Sequence, residues 1–546
     1  MTKKEMISKC SSLIWKWNEG SLLNTNSWIN RLYRSYIVLL SIMPDLPFVV
    51  FFGNYSKIIH NAIDNNETKR EQLKRLLFRA LDDSNFHKKM FIQCILYGCG
   101  LMDEETVVRI IASAKKSTDY GYKYWTTMDI SYMTFSLGTG IYSRYFSDRR
   151  MLMEELSTAF REGKRGDSEQ KRKLCVLVYQ LNPNIHNSAQ RVAMMMANNM
   201  EKYYEETLVL CLDSAWRNKK EKKQYYTISR PPRSEDKKDE IRSKFNSDIK
   251  VEYAEGRDYL SLVQDGINKL YSFDPMVIID ICDEYSPASH IYSRDFYTVY
   301  MPLRVGLTSQ AVSSLLGRRD GLNELLKIYD CELPESIIEW SFPEYVPPNE
   351  GVISRDELLI PKNAFVIMTI GHCESIDNDL TDHIRKLLES DNEYVWALVG
   401  GSGPAYMHQT CQELFNRHQI MELGYVNNLA GLCSSCDVVL RQNVSGGSGG
   451  TAIAAMQGLP VVMTDRICDP NRWLGNDYSV IEDEEGLIEE IKRLKNDSEY
   501  YQQRSSQVKK LVNSITDNEE HWRQLNMLIN DSYQSWKKKE YNGKEH

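Results

Sequence analysis

The stretch that most constrains the fold of this chain is Gln442–Asp465, QNVSGGSGGTAIAAMQGLPVVMTD. The apolar run DVVLR (Asp437–Arg441) before it predicts a strand, and Thr451–Gln457 predicts a short helix. Gly458 stops that helix, and Leu459–Thr464 predicts a second buried strand. Strand, helix and strand in this order form a βαβ unit of a parallel sheet. The loop between the first strand and the helix carries Gly446, Gly447, Gly449 and Gly450 around Ser448. Glycines let a backbone approach a ligand closely. The helix start behind them offers N–H groups without partners and a partial positive charge. Such a loop is either a flexible connection or a diphosphate seat, and glycines packed this densely at a strand-to-helix switch favour the seat.

The 546 residues leave room for about three domains. With 42% hydrophobic residues the chain can build real cores. A net charge of -8 argues against a nucleic-acid partner. The amino-terminal MTKKEMISKC has no apolar signal-peptide core. The most apolar stretch, Tyr36–Phe52, is interrupted by Pro44, Asp45 and Pro47, so no membrane span is expected. Twelve cysteines lie scattered without a disulfide-like pattern, which points to a reducing, cytoplasmic setting.

Residues 1–170 carry helical periodicity in Asn65–Asp82, Lys88–Cys99, Glu104–Lys115 and Met151–Arg161. Trp15, Trp17, Trp28, Tyr33 and Tyr36 read as core or interface residues. Over 171–345 the pattern changes to a Rossmann-like unit. Leu174–Gln180 predicts a buried parallel strand, Ala189–Tyr203 a helix and Thr207–Leu212 the next strand. His186 falls at the C-terminal edge of that first strand, where such sheets place ligands. There it can act as a general base on a hydroxyl or bond the helix start. Arg217–Lys250 is dense in both charges and reads as an exposed insertion or mobile loop. After the strand Met276–Ile281, Asp280, Asp283 and Glu284 cluster ahead of Ser289, His290 and Arg294. These carboxylates beside an imidazole can form an acid/base pair or cap the next helix. Tyr297–Gly306 predicts a further strand and its exit loop.

The proline-rich Ser341–Gly351 is the best linker. A second Rossmann-like unit spans 346–546, with strands at Ala364–Ile370 and Tyr394–Val399, the exit loops Gly371–Glu374 and Gly400–Pro404, and a long helical tail over Tyr500–Lys539. That tail could cross back to the middle unit. Cys433-Ser434-Ser435-Cys436 is a CxxC with no second pair nearby, so it reads as packing rather than a metal site.

The run Leu423–Asp465 resembles the donor-binding half of the GT-B glycosyltransferases: a G-Y-V turn, a small-residue helix, an Asp-led strand, a Gly-rich loop, then a helix ending in G-L-P-V-V. The resemblance covers about 171–545 and implies an α/β protein of GT-B architecture. Two Rossmann-like domains would face a cleft, preceded by an all-α domain. The helical front, Gly446–Gly450 and Gln457–Pro460 are similar to bacterial adhesin glycosyltransferases related to the O-GlcNAc transferase family. That likeness implies a nucleotide-sugar donor, with a UDP-sugar favoured, and an acceptor that is a protein side chain or a protein-linked glycan.

The candidate donor-binding residues are Gly371, His372, Arg441, Gly447, Ser448, Gly449, Gly450 and Thr451. His372 or Arg441 could neutralise the diphosphate. The candidate catalytic residues are His186, Asp280, Glu284 and His290, with His186 first. No cofactor and no metal are expected, because backbone N–H groups can stabilise the leaving charge. Many GT-B enzymes place an acidic residue in the helix after the loop to hold the ribose; here that position is Ile453. The departure keeps open an inactive GT-B-fold partner protein, a scaffold or chaperone for another glycosyltransferase or its substrate.

Overall fold

The computed structural model describes residues 67–82, 89, 92–93, 95–96, 101, 103–124, 126–127, 146–160, 171–178, 181, 188–212, 238–256, 259–282, 288–302, 312–317, 322, 334, 336–340, 351–371, 373, 376–441, 448–463, 474, 478, 481, 483–513 and 519–543. Trp15, Trp17, Trp28, Tyr33, Tyr36 and the apolar run over 36–52 lie outside them, as does 341–350 of the linker.

Three helices precede the first sheet: α1 (Glu67–Asp82), α2 (Glu104–Lys116) and α3 (Phe146–Ser157). In α2 the helical spacing puts Val107, Ile110, Ile111 and Ala114 inside. Asp103 caps the helix by accepting the Thr106 N–H at 3.0 Å. The same carboxylate takes the Lys74 ammonium at 2.6 Å, and Glu105 takes it at 2.7 Å, which ties α1 to α2.

The first α/β unit runs β1 (Lys173–Val178), α4 (Ser188–Met200), β2 (Glu206–Cys211), α5 (Lys238–Lys244), β3 (Lys250–Tyr253), α6 (Tyr259–Phe273), β4 (Val277–Asp280), α7 (Ala288–Tyr292), β5 (Thr298–Tyr300), β6 (Ser314–Leu316) and β7 (Ile337–Ile338). Its seven-stranded sheet has the order β3-β2-β1-β4-β5-β6-β7, with every pairing parallel. The order reverses between β1 and β4, where Leu177 pairs with Asp280. Part of the charged segment expected as a loop is ordered here: 238–244 forms α5, with Ile241 buried, and Lys250 opens β3. Residues 213–237 of it lie outside the described residues. The strand expected, with its exit loop, over 297–306 is the short β5, and β6 and β7 were not anticipated, because strands of two or three residues carry no periodic signal.

The second unit runs β8 (Phe365–Ile370), α8 (Asn378–Ser390), β9 (Tyr394–Val399), α9 (Ala405–Thr410), α10 (Gln412–Asn416), β10 (Ile420–Gly424), α11 (Leu429–Cys433), β11 (Val438–Leu440), α12 (Ser448–Gln457), β12 (Val461–Val462), α13 (Glu484–Asn496), α14 (Ser498–Asn513) and α15 (Glu519–Gly543). Its five-stranded parallel sheet has the order β10-β9-β8-β11-β12, the same plan as the first. All of β9 is buried, as the continuous apolar run YVWALV requires of a strand covered on both faces.

The long helical tail expected over 500–539 is made of two helices, α14 and α15. Val508 and Val512 of α14 pack on Ala452 and Ala455 of α12 in the second unit. Trp522, Leu525, Ile529 and Tyr533 of α15 instead belong to the core of the first unit. The chain therefore passes from one unit to the other between α14 and α15, and one straight helix could not lay its apolar stripe on both. Among the described residues no helix is long and apolar enough to cross a membrane.

Candidate active site at the sheet edges

In parallel α/β sheets, ligands bind beyond the C-terminal strand ends where the strand order reverses. In the second unit that point lies between β8 and β11. The rim beside it is built from backbone. Three adjacent strands end on glycines with positive φ: Gly371 at 123°, Gly400 at 106° and Gly424 at 61°. The Gly371 N–H donates to Val399 O at 2.8 Å, and the Gly400 N–H donates to Gly424 O at 2.7 Å. A Cβ on Gly400 would lie 2.7 Å from the Gly371 carbonyl oxygen. Gly400→Ala therefore meets both a forbidden backbone conformation and a backbone clash. It should cost at least about 2 kcal/mol, read as a lower denaturation midpoint. An unchanged midpoint would mean the rim is not this tight.

Two positive elements converge on the end of β8. The first turn of α12 is one: a Cβ on Gly450 would come within 2.8 Å of Ile370 Cγ2, so the helix start lies directly against that strand end. Its leading N–H groups have no intrahelical acceptor. Arg441, leaving β11, is the other. It is 5% exposed, and its Nη1 donates to Ile370 O at 3.4 Å. Among the described residues, the only atom within 4 Å of a Cβ built on Gly371 is Arg441 Nη1, at 3.9 Å, so that guanidinium borders the space above Gly371. Gly371, Arg441, Gly449, Gly450 and the backbone of Ser448 thus share one end of the sheet. His372 and Gly447 lie outside the described residues.

Thr451 is placed inside the packing of α12. It is fully buried, and its hydroxyl has no hydrogen-bond partner among the described residues. Packing explains why it is sealed: α12 is clasped by α11 and α14, and Ala452, Ala454 and Ala455 are fully buried with it. Ile453, at 8% exposed, is a packed apolar residue of the same helix. The Asp that leads β11 is structural. Asp437 Oδ2 accepts from Val366 N at 2.6 Å and Arg355 Nη2 at 2.7 Å, and its carbonyl accepts the Tyr501 hydroxyl at 3.0 Å. Burial raises its carboxyl above the usual range even with Arg355 beside it. The CxxC is core: burial pushes the Cys433 thiol up to about 12 and raises Cys436 as well, and Cys436 Sγ contacts Met368 Sδ at 3.7 Å. Among the described residues no cluster of His, Cys, Asp and Glu has the arrangement of a metal site.

In the first unit the corresponding point lies between β1 and β4. Asp280 ends β4 fully buried, and its Oδ1 accepts the Cys282 N–H at 2.7 Å. His290 is on α7 and 6% exposed. Burial first, then Arg150, Arg149 and Arg294, hold its imidazole down to about 4. Asp283 and Glu284, two of the three carboxylates read as possible partners of His290, lie outside the described residues, and the charges that lower its imidazole are guanidiniums. The cause is that α7 packs on α3, which carries two of those arginines. His186 and Glu284 lie outside the described residues. Of the glycine rim, sequence reasoning placed only Gly371 in the site and missed Gly400 and Gly424, although a glycine at the end of each strand run was the available signal. Arg149 and Arg150 had none, because α3 and α7 are far apart in sequence.

No protein-family model matches this sequence, and no curated protein matches it. Among solved structures, a mutant O-GlcNAc transferase of Thermobaculum terrenum is similar at 14% identity and TM-score 0.54, covering 98% of this chain and 99% of that one. HepE of Anabaena, in complex with UDP and glucose, is similar at 13% identity and TM-score 0.47, covering 67% of this chain and 100% of that one. A sucrose-phosphate synthase from Thermosynechococcus elongatus matches at 10% identity and TM-score 0.47, over 67% of this chain and 100% of that one. The fold argument rests on the first of these and on two parallel sheets of the same strand order: the chain has the GT-B fold of the glycosyltransferases.

Proposed function

We propose that this protein is a glycosyltransferase that moves a sugar from a nucleotide-sugar donor, a UDP-sugar in the favoured case, to a protein side chain or a protein-linked glycan. The observation that carries the reading is the meeting of the Arg441 guanidinium and the α12 N-terminus at the end of β8, a seat for a diphosphate. The name of the Thermobaculum protein, an O-GlcNAc transferase matched over nearly its whole length, supports the same class. In the scheme the acceptor oxygen forms a bond to the anomeric carbon as the bond from that carbon to the diphosphate breaks. The diphosphate leaves with its charge spread over the Gly449 and Gly450 N–H groups and Arg441. In an inverting reaction the acceptor proton goes to His186, from its sequence position after β1. The scheme needs no metal, and the acceptor enters from the first unit.

Thermal melting with UDP, GDP, dTDP, CDP and their sugar conjugates tests it. One nucleotide should raise the melting temperature, by linkage to the folded state, and Ser448→Trp at the head of α12 should abolish that rise. No shift with any nucleotide removes the donor seat. Ile453 favours a second reading, a GT-B-fold partner protein without turnover, since α12 offers no carboxylate to a ribose. Tight binding to a protein partner without nucleotide binding would select it.

A further inference from the structure

One lysine of the helical region sits in surroundings that its neighbours do not share. Lys74 and Lys123 are buried, and each meets carboxylates: Lys74 those of Asp103 and Glu105, Lys123 that of Glu155. Lys115 meets Asp148. Lys89 is half-buried and forms no ion pair among the described residues. Its Nζ donates to Ser113 Oγ of α2 at 3.2 Å and stands 5.1 Å from the centre of the Tyr122 ring. Gln93, four residues further on, donates Nε2 to the Tyr122 hydroxyl at 2.7 Å, which holds that ring in place. Gln93, Ser113 and Tyr122 are all buried, so Lys89 is the member of this cluster that a reagent can reach. Asp82 and Asp119 act on it from a distance, and both are engaged elsewhere. Asp82 accepts from Arg109 Nη2 at 2.8 Å, and Asp119 accepts the Tyr122 N–H at 3.1 Å. Burial outweighs their pull and lowers the Lys89 ammonium below the usual lysine value. A hydroxyl suits either form of the amine, because it accepts from an N–H and can donate to the free lone pair. The cluster therefore holds Lys89 without requiring its charge, and the uncharged amine is the nucleophilic form.

We infer that Lys89 is an acylation site: its ε-amine, held between the Ser113 hydroxyl and the Tyr122 ring, takes an acyl group from a thioester or an acyl phosphate. The amine attacks the acyl carbon. A C–N bond forms, the C–S or C–O bond breaks, the thiolate or phosphate leaves with the electron pair, and the amine proton passes to solvent. The product is a neutral amide, which ends the cation–π contact with Tyr122. The site lies in the helical region ahead of the first sheet, and it does not depend on the chain being a transferase.

The test treats the full chain at about pH 8 with limiting acetyl phosphate and, in parallel, with limiting acetyl-coenzyme A, and reads acetylation at each lysine by peptide mass spectrometry. Lys89 should be acetylated about threefold faster than Lys116, an exposed lysine of α2, and the preference should vanish in concentrated urea. Asp82→Asn, at a half-exposed position, removes one of the two carboxylates that favour the ammonium. It should speed Lys89 about twofold while Lys116 keeps its rate, a response that a lysine held only for packing would not give. The faster of the two reagents identifies the class of donor. The inference is overturned if Lys89 reacts no faster than Lys116 with either reagent, if its preference survives in urea, or if Asp82→Asn leaves its rate unchanged.

Discussion

Trp522→Ala should lower the melting temperature of the first α/β unit by about 10 °C, the equivalent of about 3–5 kcal/mol. Trp522 is fully buried on α15 and stands 5.5 Å from the ring of Trp340. The Trp340 indole donates to the His521 carbonyl at 3.2 Å, so this contact fixes both the start of α15 and the chain just past β7. Further along, Ser532 bonds Ser314 at 3.0 Å and Ser336 at 2.8 Å, and the rings of Tyr533 and Trp536 meet Tyr297, each at 5.5 Å. Truncating Trp522 leaves a large cavity that helix and sheet can only partly close. The effect should fall on the first unit, because α14 holds the second unit through its own contacts with α12. Calorimetry can separate the two, since chains of several domains need not unfold in one step. An equal drop in both units would mean that α15 couples them into one cooperative body. No drop would mean that α15 adds little to the first core.

Arg441→Met should weaken binding of the matching nucleoside diphosphate about 10–100-fold while leaving the free nucleoside unaffected, from the worth of hydrogen bonds to charged groups. Methionine retains much of the apolar stem, so the change removes the charge with little loss of packing. Isothermal titration with UDP and uridine checks the pair. If both weaken together, Arg441 acts on the fold of the rim and not on phosphate. If neither changes, the diphosphate charge is met elsewhere, and His372 becomes the residue to replace.

The parallel sheets were legible because their strands are long apolar runs. LCVLV, VIID, FVIMTI and YVWALV each fill a buried strand. The turn into α12 was legible because glycines at a strand-to-helix switch have few other uses. The short strands β6 and β7 are set by their neighbours in the sheet, and nothing in two or three residues distinguishes them from loop.

Residue roles divided along the same line. Gly400 and Gly371 could be placed after their strands by local pattern, since a strand end followed by glycine is a property of adjacent residues. Their mutual closeness, with a Cβ on one meeting the carbonyl of the other at 2.7 Å, depends on β8 and β9 lying side by side. Asp437 could serve a ligand or the scaffold as far as its neighbours tell. Arg355, Val366 and Tyr501 gather on it only when the segment before β8, the start of β8 and α14 pack together. Sequence places His290 close to carboxylates and Arg294, and only the packing of α3 on α7 adds the charges of Arg149 and Arg150 to it. Local sequence set the elements and the glycine hinges, because periodicity and φ preference act over a few residues. Which groups share a site was decided by strand order and helix packing, because charge and burial depend on what lies close in space and not on what lies next in the chain.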